Sequence, residues 1–125
     1  TTIATALRKI QGNAAVMVLK TLCNSWASSV RFHEAEVRSC CFGCLEVDDL
    51  SHSLACTALW QLLGQAVGDT ADDAWARLAP RTNVSRNLRI LALGFLIYHD
   101  MKFGGGRSFS LSLPWATAGA RTYSW

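Results

Sequence analysis

The sequence has no apolar stretch approaching the roughly 20 residues that a membrane-spanning helix needs. Its longest, Ile90 to Tyr98, is flanked by Arg89 and His99, so no span is expected. The given residues also show no signal-peptide pattern: no basic start leads into an apolar stretch and a small-residue cleavage site. The chain opens on Thr1 without an initiator Met, as expected of a processed chain, a fragment or part of something longer. There is no HExxH, P-loop or nucleophile elbow. The triple glycine Gly104 to Gly106 opens no helix, which makes it a poor phosphate cradle. Nothing fixes His99, Asp100 and Cys23 as a nucleophilic group. No enzymatic activity is expected.

Acid is absent from residues 1–33, which hold Arg8, Lys9, Lys20 and Arg31. Residues 34–73 then hold eight of the nine acids and only Arg38, and residues 74–125 hold seven bases against Asp100 alone. A basic–acidic–basic order lets a chain bind itself across its fold or show different faces to different partners. At 125 residues, half of them hydrophobic, the chain suffices for one domain with a sizeable core. That apolar fraction is high for a free-standing domain and points to a partner surface.

The five cysteines, Cys23, Cys40, Cys41, Cys44 and Cys56, are odd in number and tightly spaced. They read poorly as a disulfide framework and better as a metal site with spare thiols in a reducing, intracellular compartment. Cys41-x-x-Cys44 contains Gly43, where a tight turn lets two thiolates face one point. His52 and Cys56 stand four apart on an expected helix, hence on one of its faces. A turn giving two thiolates and a helix giving His and Cys can close a tetrahedron around zinc. Three sulfurs and one nitrogen leave no open position, which makes the zinc structural. Cys40 could take the place of Cys41 through a one-residue shift.

The expected fold is mainly α, with about four helices around this small CCHC zinc site and an extended C-terminal arm. Ile3 to Trp26 gives two helices or one kinked at Gly12-Asn13, with Val16, Leu19, Leu22, Cys23 and Trp26 as an apolar stripe. Asp49 or Ser51 caps a helix running to about Val67. Thr70 and Asp73 resemble a capping box for a short helix that Pro80 stops. Asn83 or Ser85 caps a last helix to about Phe103, with Leu88, Leu91, Ala92, Phe95 and Tyr98 as its stripe. Trp60, four residues after Cys56, is expected beside the zinc site, and Trp26 and Trp75 in the core. The helical zinc-binding domain spans 1–103 and a Gly/Ser/aromatic arm 104–125. In that arm Phe109, Trp115, Tyr123 and Trp125 suit partner binding.

The segment 40–56 holds Glu46, Asp48 and Asp49 and no Lys or Arg, and would repel a phosphate backbone. Nucleic-acid contact would fall to Arg81, Arg86 and Arg89, or to Arg8, Lys9 and Lys20.

The blocks Thr21-Leu22-Cys23-Asn24-Ser25-Trp26, Arg31-Phe32-His33, Cys41-Phe42-Gly43-Cys44 and Leu50-Ser51-His52-Ser53-Leu54-Ala55-Cys56-Thr57-Ala58-Leu59-Trp60 carry a resemblance. Together they are similar to the C-terminal zinc-binding region of non-LTR (LINE-type) reverse transcriptases. Leu91 to His99 resembles the helix that follows it in some protist members. The likeness covers roughly residues 14–102. In that family the whole protein joins endonuclease and polymerase, and the C-terminal Cys/His region helps engage template or target. The resemblance implies the ligand set Cys41, Cys44, His52 and Cys56. This chain has no polymerase palm motif with paired aspartates and no endonuclease core, so it cannot reverse-transcribe alone. The expectation is a retrotransposon-derived, non-catalytic subunit docked among the protein subunits of a large assembly, an organellar photosynthetic or respiratory complex being one such setting. The alternative is an accessory module that engages nucleic acid.

Because zinc binding and folding are coupled, Cys44→Ser is expected to abolish metal uptake and lower the melting temperature. Unchanged metal content and unchanged melting, by atomic absorption and calorimetry, would overturn the zinc expectation.

Overall fold

A computed structural model describes residues 2–104 and the backbone of residues 110–111 and 123–124. It has helices α1 (Ile3–Lys9), α2 (Gly12–Leu22), α3 (Leu50–Ala55), α4 (Thr57–Val67), α5 (Ala74–Leu78) and α6 (Val84–Phe103). The short strands β1 (Ser110–Leu111) and β2 (Tyr123–Ser124) pair antiparallel. Of the arm residues expected to bind partners, Phe109, Trp115 and Trp125 lie outside the described residues, and only the backbone of Tyr123 is described.

The chain is mainly helical, as its periodicity indicates, with six helices among the described residues: the open choice over Ile3 to Trp26 resolves to two, and the one expected to run to Val67 is divided. Ile10 and Gln11 separate α1 from α2, and extended backbone at Cys56 separates α3 from α4. Asp49 caps α3, its carboxylate accepting from the His52 N–H at 2.7 Å. Asp73 is itself the N-cap of α5 and not the third residue of a capping box, accepting from the Ala76 N–H at 2.9 Å.

The core is organised on α6. Val84, Leu88, Leu91 and Ala92 join Ala6, Ile10, Ala14 and Val18 in one buried cluster. Ile90, Leu93, Ile97 and Tyr98 join Trp26, Cys56, Leu59, Trp60 and Leu63 in another. A helix buried on both sides is apolar nearly all round, so a one-sided stripe understates it.

The expected stripe of α2 is corrected. Ala14, Val18 and Thr21 face the core, while Val16, Leu19 and Leu22 are 50, 50 and 42% exposed. Cys23 is exposed as well. Small side chains let α2 sit close to α6, and Thr21 serves inward with its hydroxyl: it donates to Met17 O at 2.8 Å and accepts from Trp26 Nε1 at 2.7 Å. The larger apolar residues are left facing out. Trp75, expected in the core, is 78% exposed on α5. Ala74 and Leu78 are the residues of that five-residue helix that pack against the core, and Trp75 is not among them.

Residues 23–49 form no helix and are held by a buried carboxylate. Asp48 Oδ1 accepts from Tyr98 Oη at 2.6 Å. Its Oδ2 accepts from Ser29 N and Oγ, both at 3.0 Å, and from Lys102 Nζ at 2.6 Å. Lys102 also donates to Ala27 O at 2.7 Å. Burial alone would raise the Asp48 pKa, but the hydrogen bonds from Lys102, Tyr98 and Ser29 outweigh it and hold the group below its ordinary 3.8. The stabilisation is therefore complete above pH 3.8 and lost as pH falls through the depressed value. His99 makes a second tie. Its Nδ1–H donates to Phe95 O at 2.7 Å, and its Nε2 accepts from the Ala27 N–H at 3.0 Å, the tautomer following from these partners. Burial, then the Lys102 and Lys20 charges, lower its pKa and keep the ring neutral.

Asp48→Ala leaves the buried Lys102 ammonium with only the Ala27 carbonyl and the more distant Glu34 carboxylate at 3.5 Å, and is expected to cost about 3–5 kcal/mol in urea unfolding. Adding Lys102→Met is expected to restore most of that loss. A double variant no more stable than the single one would show that the charge pair does not hold the segment.

Candidate metal centre

Cys40 and Cys44 lie on a hairpin-like knuckle. The Cys40 N–H donates to Glu46 O at 2.8 Å, the Asp48 N–H donates to Arg38 O at 3.0 Å, and Ser39 bridges Val47. At the tip the Gly43 N–H donates to Cys40 O at 3.1 Å. Gly43 takes φ +93°, a left-handed conformation that glycine enters without a Cβ penalty. The Phe42 N–H donates to Cys40 Sγ at 3.4 Å.

The other two groups come from the α3–α4 joint. His52 lies in the first turn of α3, and Cys56 is at once the C-cap of α3 and the N-cap of α4, with φ −63° and ψ 112°. The sequence suggests one continuous helix here, but the chain breaks at Cys56. The break frees carbonyls at the end of α3, and two long side chains take them up. Trp60 Nε1 donates to Ser53 O at 2.9 Å, and Arg77 donates to Leu54 O at 2.8 Å. The Arg77 guanidinium lies 4.4 Å from the Trp60 ring centroid. Trp60 is buried in the same cluster as Cys40 and Cys56, as its position after Cys56 suggests.

The sulfurs of Cys40, Cys44 and Cys56 and a ring nitrogen of His52 all lie within 4.8 Å of one another. Cys56 Sγ stands 3.7 Å from both Cys40 Sγ and Cys44 Sγ. Cys40 and Cys56 are buried, and Cys44 and His52 half-buried. His52 Nε2 is buried with no hydrogen-bond partner, an expensive state for a ring nitrogen unless something else satisfies it. Thiol–thiol contacts account for the sulfurs but leave this nitrogen unexplained; one metal ion accounts for all four groups. In the metal-free chain, burial pushes the Cys56 thiol up to about 12. A cation in the cluster acts in the opposite direction, stabilising the thiolate.

The group contains Cys40 and not Cys41, which corrects the expected ligand set at one position. The antiparallel register of residues 38–40 with 46–48 fixes which cysteine faces Cys56, and the turn between the two ligands is one residue longer than Cys-x-x-Cys. Cys41 is half-buried, its thiol pushed up to about 12 by burial and then by the neighbouring Cys40 and Asp48. Cys44, His52 and Cys56 come together as expected. Asp48, counted in the sequence as part of an acidic finger, is turned inward and paired with Lys102.

Arg81, Arg86 and Arg89 also come together, around the N-terminus of α6 with Lys9. Arg86 is engaged structurally, since its terminal nitrogens donate to Val67 O at 2.8 Å and Asp69 O at 2.6 Å, just past α4. Sequence reading missed the Asp48–Tyr98–Lys102 network, although an i, i+4 Tyr–Lys pair near the end of an apolar helix was its visible trace. The partnership of Arg77 with the α3 carbonyls had no sequence signal. Among the described residues, no helix is long and apolar enough to cross a membrane.

Comparison with known protein families, curated proteins and solved structures gives no match to this chain.

If Cys40 is the ligand, Cys40→Ser is expected to lower cobalt affinity by at least about tenfold and abolish the tetrahedral d–d absorption. Cys41→Ser is expected to retain that spectrum. The opposite result would return the ligand role to Cys41.

Proposed function

We propose that this chain is a zinc-stabilised, non-catalytic structural module that docks onto other protein subunits of a larger assembly. The observation that carries the zinc reading is the buried, unpartnered His52 Nε2 beside three cysteine sulfurs. In a tetrahedron with Zn–S bonds of about 2.3 Å, sulfurs stand about 3.8 Å apart. Cys56 Sγ lies 3.7 Å from each of the other two sulfurs. A soft donor set of three sulfurs and one imidazole suits zinc and not a hard, oxygen-seeking cation. Four protein ligands leave no position for water or substrate, which supports a structural role.

Docking is supported by the outward face of α2. Val16, Leu19 and Leu22 recur at spacings of three on a helix whose opposite face already fills the core. Such a face fits the apolar surface of another protein. The retroelement origin is part of the same proposal and rests on the blocks between Thr21 and Trp60 and on Leu91 to His99. Thiolate ligands suit a reducing compartment, cytosolic or organellar. Nucleic-acid engagement through Arg81, Arg86 and Arg89 has weaker support. Arg86 is held by backbone carbonyls, and the three converge on one concavity instead of lining a track.

The chain recovered from its source is expected to carry one zinc in a multi-subunit protein particle, by native mass spectrometry. Val16→Ser with Leu19→Ser is expected to release it from that particle with zinc content and melting unchanged. A chain without zinc, or a zinc-bearing chain recovered on RNA or DNA, would overturn this reading.

A further inference from the structure

A second site, independent of the metal centre, lies at the start of α6. Lys9, Arg81, Asn83, Ser85, Arg86 and Arg89 line a concavity of about 460 Å³. Four of these carry positive charge, and no acid lines the concavity. Gathering four like charges in one hollow is unfavourable, and a bound anion relieves it. Arg89 lines the hollow half-buried. Its Nε is closed to solvent, so an anion in the hollow would meet the terminal nitrogens of this guanidinium.

The helix completes the hollow. α6 is 20 residues long, its N-cap Asn83 makes no side-chain capping bond, and no acid lies in its first turn. The dipole and the first-turn N–H groups of Val84, Ser85 and Arg86 thus have no anionic side chain of the chain itself to face. Arg86 brings charge but few spare donors, since Val67 O and Asp69 O hold its terminal nitrogens. Arg89, Arg81 and Lys9 bring the donors that an incoming anion would engage.

We propose that this concavity binds a phosphate monoester, the phosphate seated on the first turn of α6 between Arg89, Arg81 and Lys9. The monoester is favoured by how the charges are placed. A phosphomonoester concentrates about −1.5 to −2 charges and three acceptor oxygens in one group, which suits converging cations. A nucleic-acid backbone spaces single charges along a strand and is matched by a row of bases. The volume leaves room for the group that carries the phosphate, such as a phosphorylated side chain of a partner protein.

The test uses the full zinc-loaded chain, followed by amide NMR at constant ionic strength. Phenyl phosphate, inorganic phosphate, dimethyl phosphate and an oligothymidylate are titrated in turn. Saturable shifts centred on Val84, Ser85 and Arg86 are expected with phenyl phosphate and inorganic phosphate, with dimethyl phosphate about tenfold weaker. Arg89→Met, which keeps the aliphatic stem, is expected to weaken phenyl phosphate by about tenfold, and the exposed Arg81→Gln by severalfold. If Arg89→Met disturbs the fold, Arg81→Gln decides the matter. Shifts that do not saturate, or affinity unchanged in Arg81→Gln, would overturn the site. Dimethyl phosphate matching phenyl phosphate, or the oligothymidylate displacing it at lower concentration, would overturn the monoester and assign the hollow to nucleic acid.

Discussion

The Asp48 carboxylate is the constraint on which the irregular part of this structure depends. Residues 23–49 contain no helix and little sheet, and their own backbone bonds lie mainly in turns and the short knuckle pairing. One buried acid holds them by accepting from Ser29, Tyr98 and Lys102 at once. A buried ion pair is not in itself a large net source of stability. Its value here is positional. It fixes one end of the knuckle against the last turns of α6, leaving Cys40 and Cys44 at a defined height above the α3–α4 joint.

The metal group then closes the same segment from its other side. Cys40 and Cys44 belong to the knuckle, while His52 and Cys56 belong to the joint. Any ion shared by the four ties two elements that are otherwise connected by a short stretch of chain. Cys56 sits at the break itself, ending α3 and starting α4. The cost of the break is offset locally, because Trp60 and Arg77 take up the carbonyls it frees. The site, the helix break and the Trp60–Arg77 pair are thus one arrangement.

Much of this was legible in the sequence, for reasons that can be named. The helices over Thr57 to Val67 and Val84 to Phe103 were clear because their apolar residues recur at helical spacing. Cys44, His52 and Cys56 were legible because cysteine and histidine are scarce and their spacing carries geometry. Cys40 against Cys41 was not decidable that way. Adjacent residues in extended chain face opposite sides, and only the pairing register across the knuckle settles which faces Cys56. The α2 stripe went wrong for a different reason. Helical spacing finds an apolar face by its largest residues, but close helix packing selects Ala14, Val18 and Thr21. Both faces of α2 are apolar, so periodicity had no means of choosing between them. The basic hollow was legible only as a set of scattered arginines, since Lys9 lies more than seventy residues earlier in the chain.

The central position of α6 has a consequence for the order in which the protein assembles during synthesis. The buried faces of α1 and α2 have their counterpart in a helix that begins at Val84, so the ribosome must deliver most of the chain before those faces are covered. The four residues of the Cys/His cluster, by contrast, all lie between Cys40 and Cys56 and emerge close together. A nascent chain therefore has its Cys/His cluster long before it has its core. The first stable point on the growing polypeptide can be an ion held in a small loop, with the N-terminal helices waiting beside it for the helix that will cover them.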